Sequence, residues 1–294
     1  MDTEISWELY RSYLSVLLEG SLSAAARAMG VAQPTVGRHI AALEAQLGLA
    51  LFTRSQLGLL PTEAAITLKP YAEAMMASAA ALKRAAESQG DGVQGTVRIS
   101  ASEVIGAEVL PPIISQLQST YPALKVELVL TNQVQDLVRR DADIAVRMAQ
   151  PTQEVLIARR VGEIELGLHA HERYLQARGT PISLAELKHH ALIGFDQETP
   201  FLRAARQVLP VWHREAFMLR SDSDLAQLAM IRAGAGIGVC QAGLAKRTPE
   251  LVRVLPQFGP KLETWLTMHE DLRTSPRCKV TFDALFLDLQ QYAV

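Results

Sequence analysis

Hydrogen-bonding side chains Gln33, Thr35, Arg38 and His39 fall close together just where a Gln33-Pro34 pair opens a new segment. Their types suit the edges of base pairs. A glutamine amide can make two hydrogen bonds to adenine, and an arginine guanidinium can make two to guanine. On a helix these residues share one side. Val36, Ile40, Leu43 and Leu47 recur at three- and four-residue steps and form an apolar stripe on the other. Any solvated amphipathic helix also carries a polar face, so the flanking residues must decide.

Those flanking residues predict two short helices joined by a tight turn. The first begins after Ser21 or Ser23, both good N-caps, and runs through Ala24 to Ala28. Alanine is the strongest helix former, and its small side chain lets another helix cross closely. Gly30 supplies the left-handed angle that ends the helix, and Val31 and Ala32 make the turn. Gln33 then stands at the next N-cap and Pro34 at the first helical position, where a missing N–H breaks no bond. A helix-turn-helix needs this order, because its second helix offers its first turns to the major groove.

The surrounding chain completes a winged helix-turn-helix. Trp7 to Glu19 places Trp7, Tyr10, Leu14, Leu17 and Leu18 at helical spacing, as a brace with Trp7 in the core. Leu49 to Arg54 reads as extended, Ser55 to Gly58 as a turn and Leu59 to Pro61 as a return strand. Arg54 would meet phosphate at the base of this wing. Ser21, Ser23 and Thr62 can donate to phosphate or serve as plain caps. Thr62 and Glu63 open a long helix to about Ser88, kinked at Pro70, with Ile66, Tyr71, Met75, Ala79 and Leu82 along one side. Such a helix has no core of its own, so its stripe is expected to pack on a second copy. Gln89 to Gly95 is a flexible linker by composition.

From Thr96 strands alternate with helices, which predicts an α/β domain with a mostly parallel sheet. Strands are expected at Val97–Ser100, Lys125–Leu130, Ile144–Arg147, Arg159–Ala170, Ala191–Phe195, Phe217–Ser221, Gly236–Gln241 and Leu262–His269. Helices are expected at Leu110–Thr120, opened by Pro111-Pro112, and at Gln133–Arg140, Ser183–Leu187, Asp224–Ala233 and Pro276–Gln290. Ser100, Ala101 and Ser102 close a strand before a helix, the place where open α/β sheets bind ligands. Arg147 ends another strand and could pair with a ligand carboxylate or with the nearby Asp143.

Composition bounds the rest. The chain has 294 residues, 49% hydrophobic, which is enough for two domains with real cores. Its formal charge of −2 does not favour nucleic acid in general. In the first sixty residues Arg11, Arg27, Arg38 and Arg54 face Asp2, Glu4, Glu8, Glu19 and Glu44. DNA affinity must therefore come from local placement and from pairing of copies. No apolar run reaches the ~18 residues of a membrane span, and MDTEISWELY does not read as a secretory signal. Cys240 and Cys278 lie far apart and fit a reducing cytoplasm, with Cys240 an inert buried thiol. His169 with His171, and His189-His190, have no partners at metal-ligand spacing and read as surface histidines. Gly234 to Gly238 follows a helix and precedes a strand, so it is a helix end rather than a nucleotide loop. No nucleophile–base pair and no Gly-x-Ser-x-Gly elbow appears, and nothing calls for a cofactor or metal. Trp212 and Trp265 are expected in the core.

The stretch GSLSAAARAMGVAQPTVGRHIAALEAQLGLALFTR resembles the DNA-binding segment of the LysR-type transcriptional regulators. The likeness lies in Ser23 to Ala26, Gln33-Pro34, Arg38, Ile40, Leu43-Glu44, Leu47-Gly48, Leu51-Phe52 and Arg54, and thins toward the C-terminus. It implies a winged helix-turn-helix over residues 5–62 (helix-turn-helix about 22–41), a dimerisation helix over 62–89 and a two-lobed, periplasmic-binding-protein-like effector domain over 91–294. Lobe I would take about 91–160 and 266–294, and lobe II about 161–265. Ser23, Gln33, Pro34, Thr35, Gly37, Arg38, His39 and Arg54 would meet a pseudo-palindromic double-stranded operator. Ser100, Ala101, Ser102, Thr131, Arg147, Phe195 and Ser221 would line a cleft for a small, anionic effector. The resemblance also implies a cytoplasmic homotetramer built as a dimer of dimers. Departures stand at Gly37, where the family usually has Ser; at His39, commonly Gln; and at Cys240-Gln241, where a Pro is usual. Competing readings are a solute-binding protein, which leaves residues 1–62 unexplained, and an α/β enzyme, which lacks a catalytic constellation.

Overall fold

The structure, a computed structural model, describes residues 5–55, 58–87, 92–132, 141–151 and 156–293. The chain divides between Lys83 and Arg84 into two compact units.

The first unit runs α1 (Trp7–Glu19), α2 (Leu22–Met29), α3 (Gln33–Leu47), the hairpin β1 (Phe52–Ser55) and β2 (Gly58–Pro61), and most of α4 (Glu63–Glu87). Leu9, Tyr13 and Val16 of α1 pack on Ala25 and Ala26 of α2 and on Val36, Ile40 and Leu43 of α3. The two alanines let the helices approach closely. The α1 stripe is therefore set by steps from Leu9; Leu18 is 62% exposed, and Trp7 is half-buried outside this core. Ser21, not Ser23, caps α2, accepting from the Ala24 N–H at 3.1 Å. Gly30 ends α2 at φ 69°. The start of α3 lies one residue earlier than expected. Ala32 O accepts from Thr35 N and Val36 N, so Ala32 is the N-cap, Gln33 the first helical residue and Pro34 the second. The Glu44 carboxylate accepts from Leu51 N (2.7 Å) and Phe52 N (3.1 Å), which aims the chain into the hairpin. Thr62 caps α4 through Ala65 N, and Tyr13 donates to Ala65 O at 2.5 Å. Burial pushes the Tyr13 phenol up to about 12.

The second unit takes the last turn of α4 and then β3 (Gly95–Ala101), α5 (Leu110–Thr120), β4 (Leu124–Leu130), β5 (Ile144–Arg147), β6 (Leu156–His171), α6 (Glu172–Arg178), β7 (Leu192–Gly194), α7 (Pro200–Val208), β8 (Phe217–Arg220), α8 (Asp224–Arg232), β9 (Gly238–Gln241), α9 (Ala242–Ala245), β10 (Leu251–Val254), β11 (Lys261–His269) and α10 (Pro276–Tyr292). The main sheet has the order β10-β6-β11-β5-β3-β4, with β9 also on β6; β7 and β8 pair apart from it. It is mixed rather than mostly parallel. β3 pairs parallel with β4 and β5, but β11 runs antiparallel to β5 and β6, as do β9 and β10 to β6. The reason is connectivity: the chain crosses between lobes on β6 and returns beside it on β11. Residues Leu156 to Glu165 of β6 pair with β11, and Leu166 to His171 pair with β9 and β10. The change of partner falls at Glu165–Leu166.

Sequence pattern missed α6, α7, α9 and β10. α5 has the expected bounds, with its prolines in the first turn, but a π turn (Ile105–Val109) leads straight into it. Pro112 cannot donate to Glu108 O; Arg247 Nη1 donates there instead, at 3.1 Å. Trp212 is buried, but Trp265 is only half-buried, with Nε1 toward Glu263. The helix expected at Gln133–Arg140, the linker residues Gln89 to Asp91 and the tip of the hairpin turn lie outside the described residues.

Candidate functional site

In the first unit, the early turns of α3 stand clear of the core. Gln33, Pro34 and Arg38 are exposed; Thr35, Gly37 and His39 are half-buried. Ser23 Oγ donates to Gln33 Oε1 at 3.1 Å, so α2 orients the glutamine and leaves its amide NH2 to donate outward. Arg38 Nη2 lies 3.5 Å from Thr35 Oγ1 on the same exposed side. His39 differs. Its Nδ1 lies 2.7 Å from Oγ of the buried Ser12, so it braces α3 against α1. A Cβ at Gly37 would meet only the Leu22 side chain, at 3.9 Å. Arg54 pairs through its backbone with Leu59; its side chain lies outside what is described.

In the second unit a cavity of about 930 Å³ opens between the two lobes. Of the residues expected there, Ser102, Thr131, Arg147 and Phe195 line it. Ser100, Ala101 and Ser221 do not. Ser100 and Ala101 are wholly buried inside β3, because the strand runs on to Ala101 and only Ser102 clears its end. Ser221 is held by the backbone, its N–H on Gly194 O and its carbonyl accepting from Gln227. Most of the wall is apolar, including Val146, Met148, Trp212, Leu228 and Phe258.

Among the described residues, Arg147 is the cation that lines the cavity. Its Nη1 donates to Ser100 Oγ and to Val146 O, each at 3.3 Å, while its buried Nη2 has no partner. Burial holds its pKa below the ordinary guanidinium value. It does not pair with Asp143, whose carboxylate is taken by Arg84. Across the cleft lies Asp224, the first residue of α8, three residues past the Ser221 expected there. Burial pushes its carboxyl up to about 6, and the Glu103 charge adds to the rise; a hydrogen bond from Asn132 Nδ2 (2.9 Å) opposes it. Glu103 Oε2 accepts from Ser223 Oγ at 2.7 Å. At the other end of α8, Arg232 is bidentate on Glu108 (2.7 and 2.9 Å), and this bonding holds Glu108 below the usual carboxylate range. Both ends of α8 are therefore tied to the first lobe. Nothing local in the sequence signals these pairings, since the partners lie about ninety residues or more apart.

Cys240 also lines the cavity, and burial pushes its thiol up to about 12. Its Sγ lies 3.3 Å from Nδ1 of His169. His169 is thus a buried histidine, not a surface one, with its pKa lowered chiefly by burial. Gly234 ends α8 at φ 68°, and a Cβ at Gly236 would stand 2.2 Å from Ala191 O, which explains this glycine-rich entry to β9. Among the described residues no cluster of His, Cys, Asp and Glu could hold a metal, and no helix is long and apolar enough to cross a membrane.

Comparison with known proteins bears on both sites. Residues 7–66 match the family model for the bacterial regulatory helix-turn-helix protein, lysR family, and residues 90–286 match the LysR substrate binding domain. The probable HTH-type transcriptional regulator LtrA of Klebsiella pneumoniae is 26% identical over 287 residues, covering 93% of this chain and 91% of that protein. The HTH-type transcriptional activator TtdR of Escherichia coli (strain K12) is 26% identical over 313 residues, covering 97% and 95%. Among solved structures, full-length CbnR complexed with its target DNA superposes with a TM-score of 0.65 at 19% identity, over 98% of this chain and 100% of that one. Full-length AphB, the Vibrio cholerae virulence activator, gives 0.62 at 20% identity, over 95% and 98%. At these identities the structures attest the fold.

Proposed function

The chain belongs to the LysR family of DNA-binding transcriptional regulators, and on that premise we propose which of its residues read DNA, pair copies and sense an effector. Gln33, Thr35 and Arg38 read base edges, with Pro34, Gly37 and the N-terminal turn of α3 fitting the groove floor. Ser23 holds Gln33 in register, Arg54 serves phosphate, and His39 braces the helix. The observation that carries this assignment is the exposed Gln33–Arg38 surface on a helix whose other face is locked by Val36, Ile40 and Leu43.

Residues 5–62 form the reading head, 62–89 the pairing helix and 91–294 the sensor. The α4 stripe supports pairing of copies: Ile66, Tyr71 and Leu82 are each at least 60% exposed in the single chain. A two-fold dimer would present two heads to a pseudo-palindromic operator, with half-sites about one helical turn, ~34 Å, or a multiple apart. A dimer of dimers in the cytoplasm extends the same arrangement. The effector is small and carries a carboxylate for the free Nη2 of Arg147, with Ser102, Thr131 and Phe195 around it.

A mobility-shift assay on the DNA upstream of the protein's own gene tests the DNA-reading assignment. Full-length protein should shift that fragment, and Arg38→Ala should weaken the shift. Undiminished binding by the variant would displace the reading surface from α3.

A further inference from the structure

The cavity presents opposite charges from its two lobes, and neither is compensated by the other. Arg147 enters from the first lobe with Nη2 unbonded and solvent removed. Asp224 enters from the second with one neutral hydrogen-bond partner, Asn132; the charged group beside it, Glu103, has its own sign. Asp222 also lines the cavity, but its Oδ1 already accepts from Asp196 N and Gln197 N. Burying an ion without a counter-charge is costly. A monoanion would satisfy Arg147 and add a further negative charge to a space that already holds Asp224 and Asp222, with Glu103 beside Asp224. A monocation would satisfy Asp224 and leave Arg147 unpaired.

We propose that the effector is a zwitterion: an amino carboxylate with a large apolar side chain, its carboxylate on Arg147, its ammonium on Asp224 and its side chain against Phe195, Trp212, Leu228 and Phe258. This rests on the reading of the cavity as the effector site and narrows it. Such a ligand brings no net charge into the cleft and neutralises one group from each lobe. It also separates Asp224 electrostatically from Glu103, which is how its arrival would be felt at the N-terminus of α8.

Titration calorimetry on the full-length protein tests this with L-phenylalanine, L-tryptophan and L-leucine, each beside its deamino carboxylate and its decarboxylated amine. At least one amino acid should bind, with both half-charged analogues weaker by about tenfold or more. Asp224→Asn keeps the oxygen that accepts from Asn132 and removes the charge. It should weaken the amino acid about tenfold while leaving the deamino carboxylate unchanged or improved. Near pH 6 the ammonium should displace a proton from Asp224 in the wild type, read as a dependence of the heat on buffer ionisation enthalpy, and this release should vanish in the variant. If the deamino carboxylate binds as well as the amino acid, or no amino acid binds, the zwitterion is wrong. The broader reading survives the first result. It fails only if a screen of organic acids also leaves the wild type unbound.

Discussion

The Arg84 guanidinium lies bidentate on the Asp143 carboxylate, Nε to Oδ2 at 3.1 Å and Nη2 to Oδ1 at 3.2 Å. Both side chains are more than nine-tenths buried, and Arg98 N donates to the same Oδ2 at 2.8 Å. The pair fixes the last turn of α4 to the residue just before β5, and the far end of β5 carries Arg147. Asp143→Asn removes the charge on which this buried guanidinium lies bidentate. Asp143→Asn should therefore lower the stability of the second unit by about 3–5 kcal/mol, seen as a drop of about 10 °C in its thermal transition. Replacing both residues by leucine or methionine should recover much of that loss. A single-variant melt within about 2 °C of wild type would mean the pair contributes little.

Gly37 has room for a side chain. Gly37→Ser should fit against Leu22 without displacing it and raise helix stability by about 0.5 kcal/mol. The added hydroxyl should also tighten operator binding, read in one titration series by mobility shift. Weaker binding would show that the bare backbone is itself needed at the groove.

Arg38 is exposed and projects from the reading turn of α3. Arg38→Ala should cost about 1–3 kcal/mol of operator affinity if the contact is to a base. If the contact is to phosphate, the salt dependence of binding should instead shallow by about one ion. Fluorescence anisotropy at several salt concentrations separates the two. No change in either quantity is the outcome that contradicts both.

Leu82 and Ile66 lie on α4, 75% and 60% exposed. Leu82→Glu or Ile66→Glu should shift sedimentation toward the monomer, because each puts a charge into an apolar contact between copies. The folded content by circular dichroism should be kept, since neither side chain supports the core of its own chain. A wild-type sedimentation profile for both variants would move the pairing surface elsewhere.

Asp224 makes stability depend on pH. Its folded pKa, about 6, lies above the unfolded value of ~3.9. The folded chain therefore holds this proton more tightly. The contribution is full below about pH 4 and is lost as pH rises through about 6, to a total of about 3 kcal/mol. Glu103 faces the group from the first lobe with the same charge, and Asn132 faces it as a neutral donor. Urea melts at pH 5 and pH 7.5 should show the wild type gaining on Asp224→Asn as the pH falls. Parallel curves for the two proteins would remove Asp224 as the cause.

Much of the fold was legible from local pattern. The α3 stripe of Val36, Ile40 and Leu43, the Gly30 stop, the Thr62 cap and most strands from β3 onward follow from periodicity and capping, which act within a few residues. The exposed face of α3 could be named for the same reason: a helix with one buried face has only one face left. The cavity between the lobes could be placed at strand ends, and Ser102, Thr131, Arg147 and Phe195 do line it. What the tertiary structure alone decided is which charges meet. Arg147 is set free because Arg84 claims Asp143. Asp224 is raised because burial desolvates it and Glu103 is brought to it from another strand end, with Asn132 opposing, and His169 is buried where β9 lays Cys240 beside it. Electrostatic partners act through space across chain separations of 59 to 124 residues. No periodicity encodes them, and only the completed packing of the two lobes brings them together.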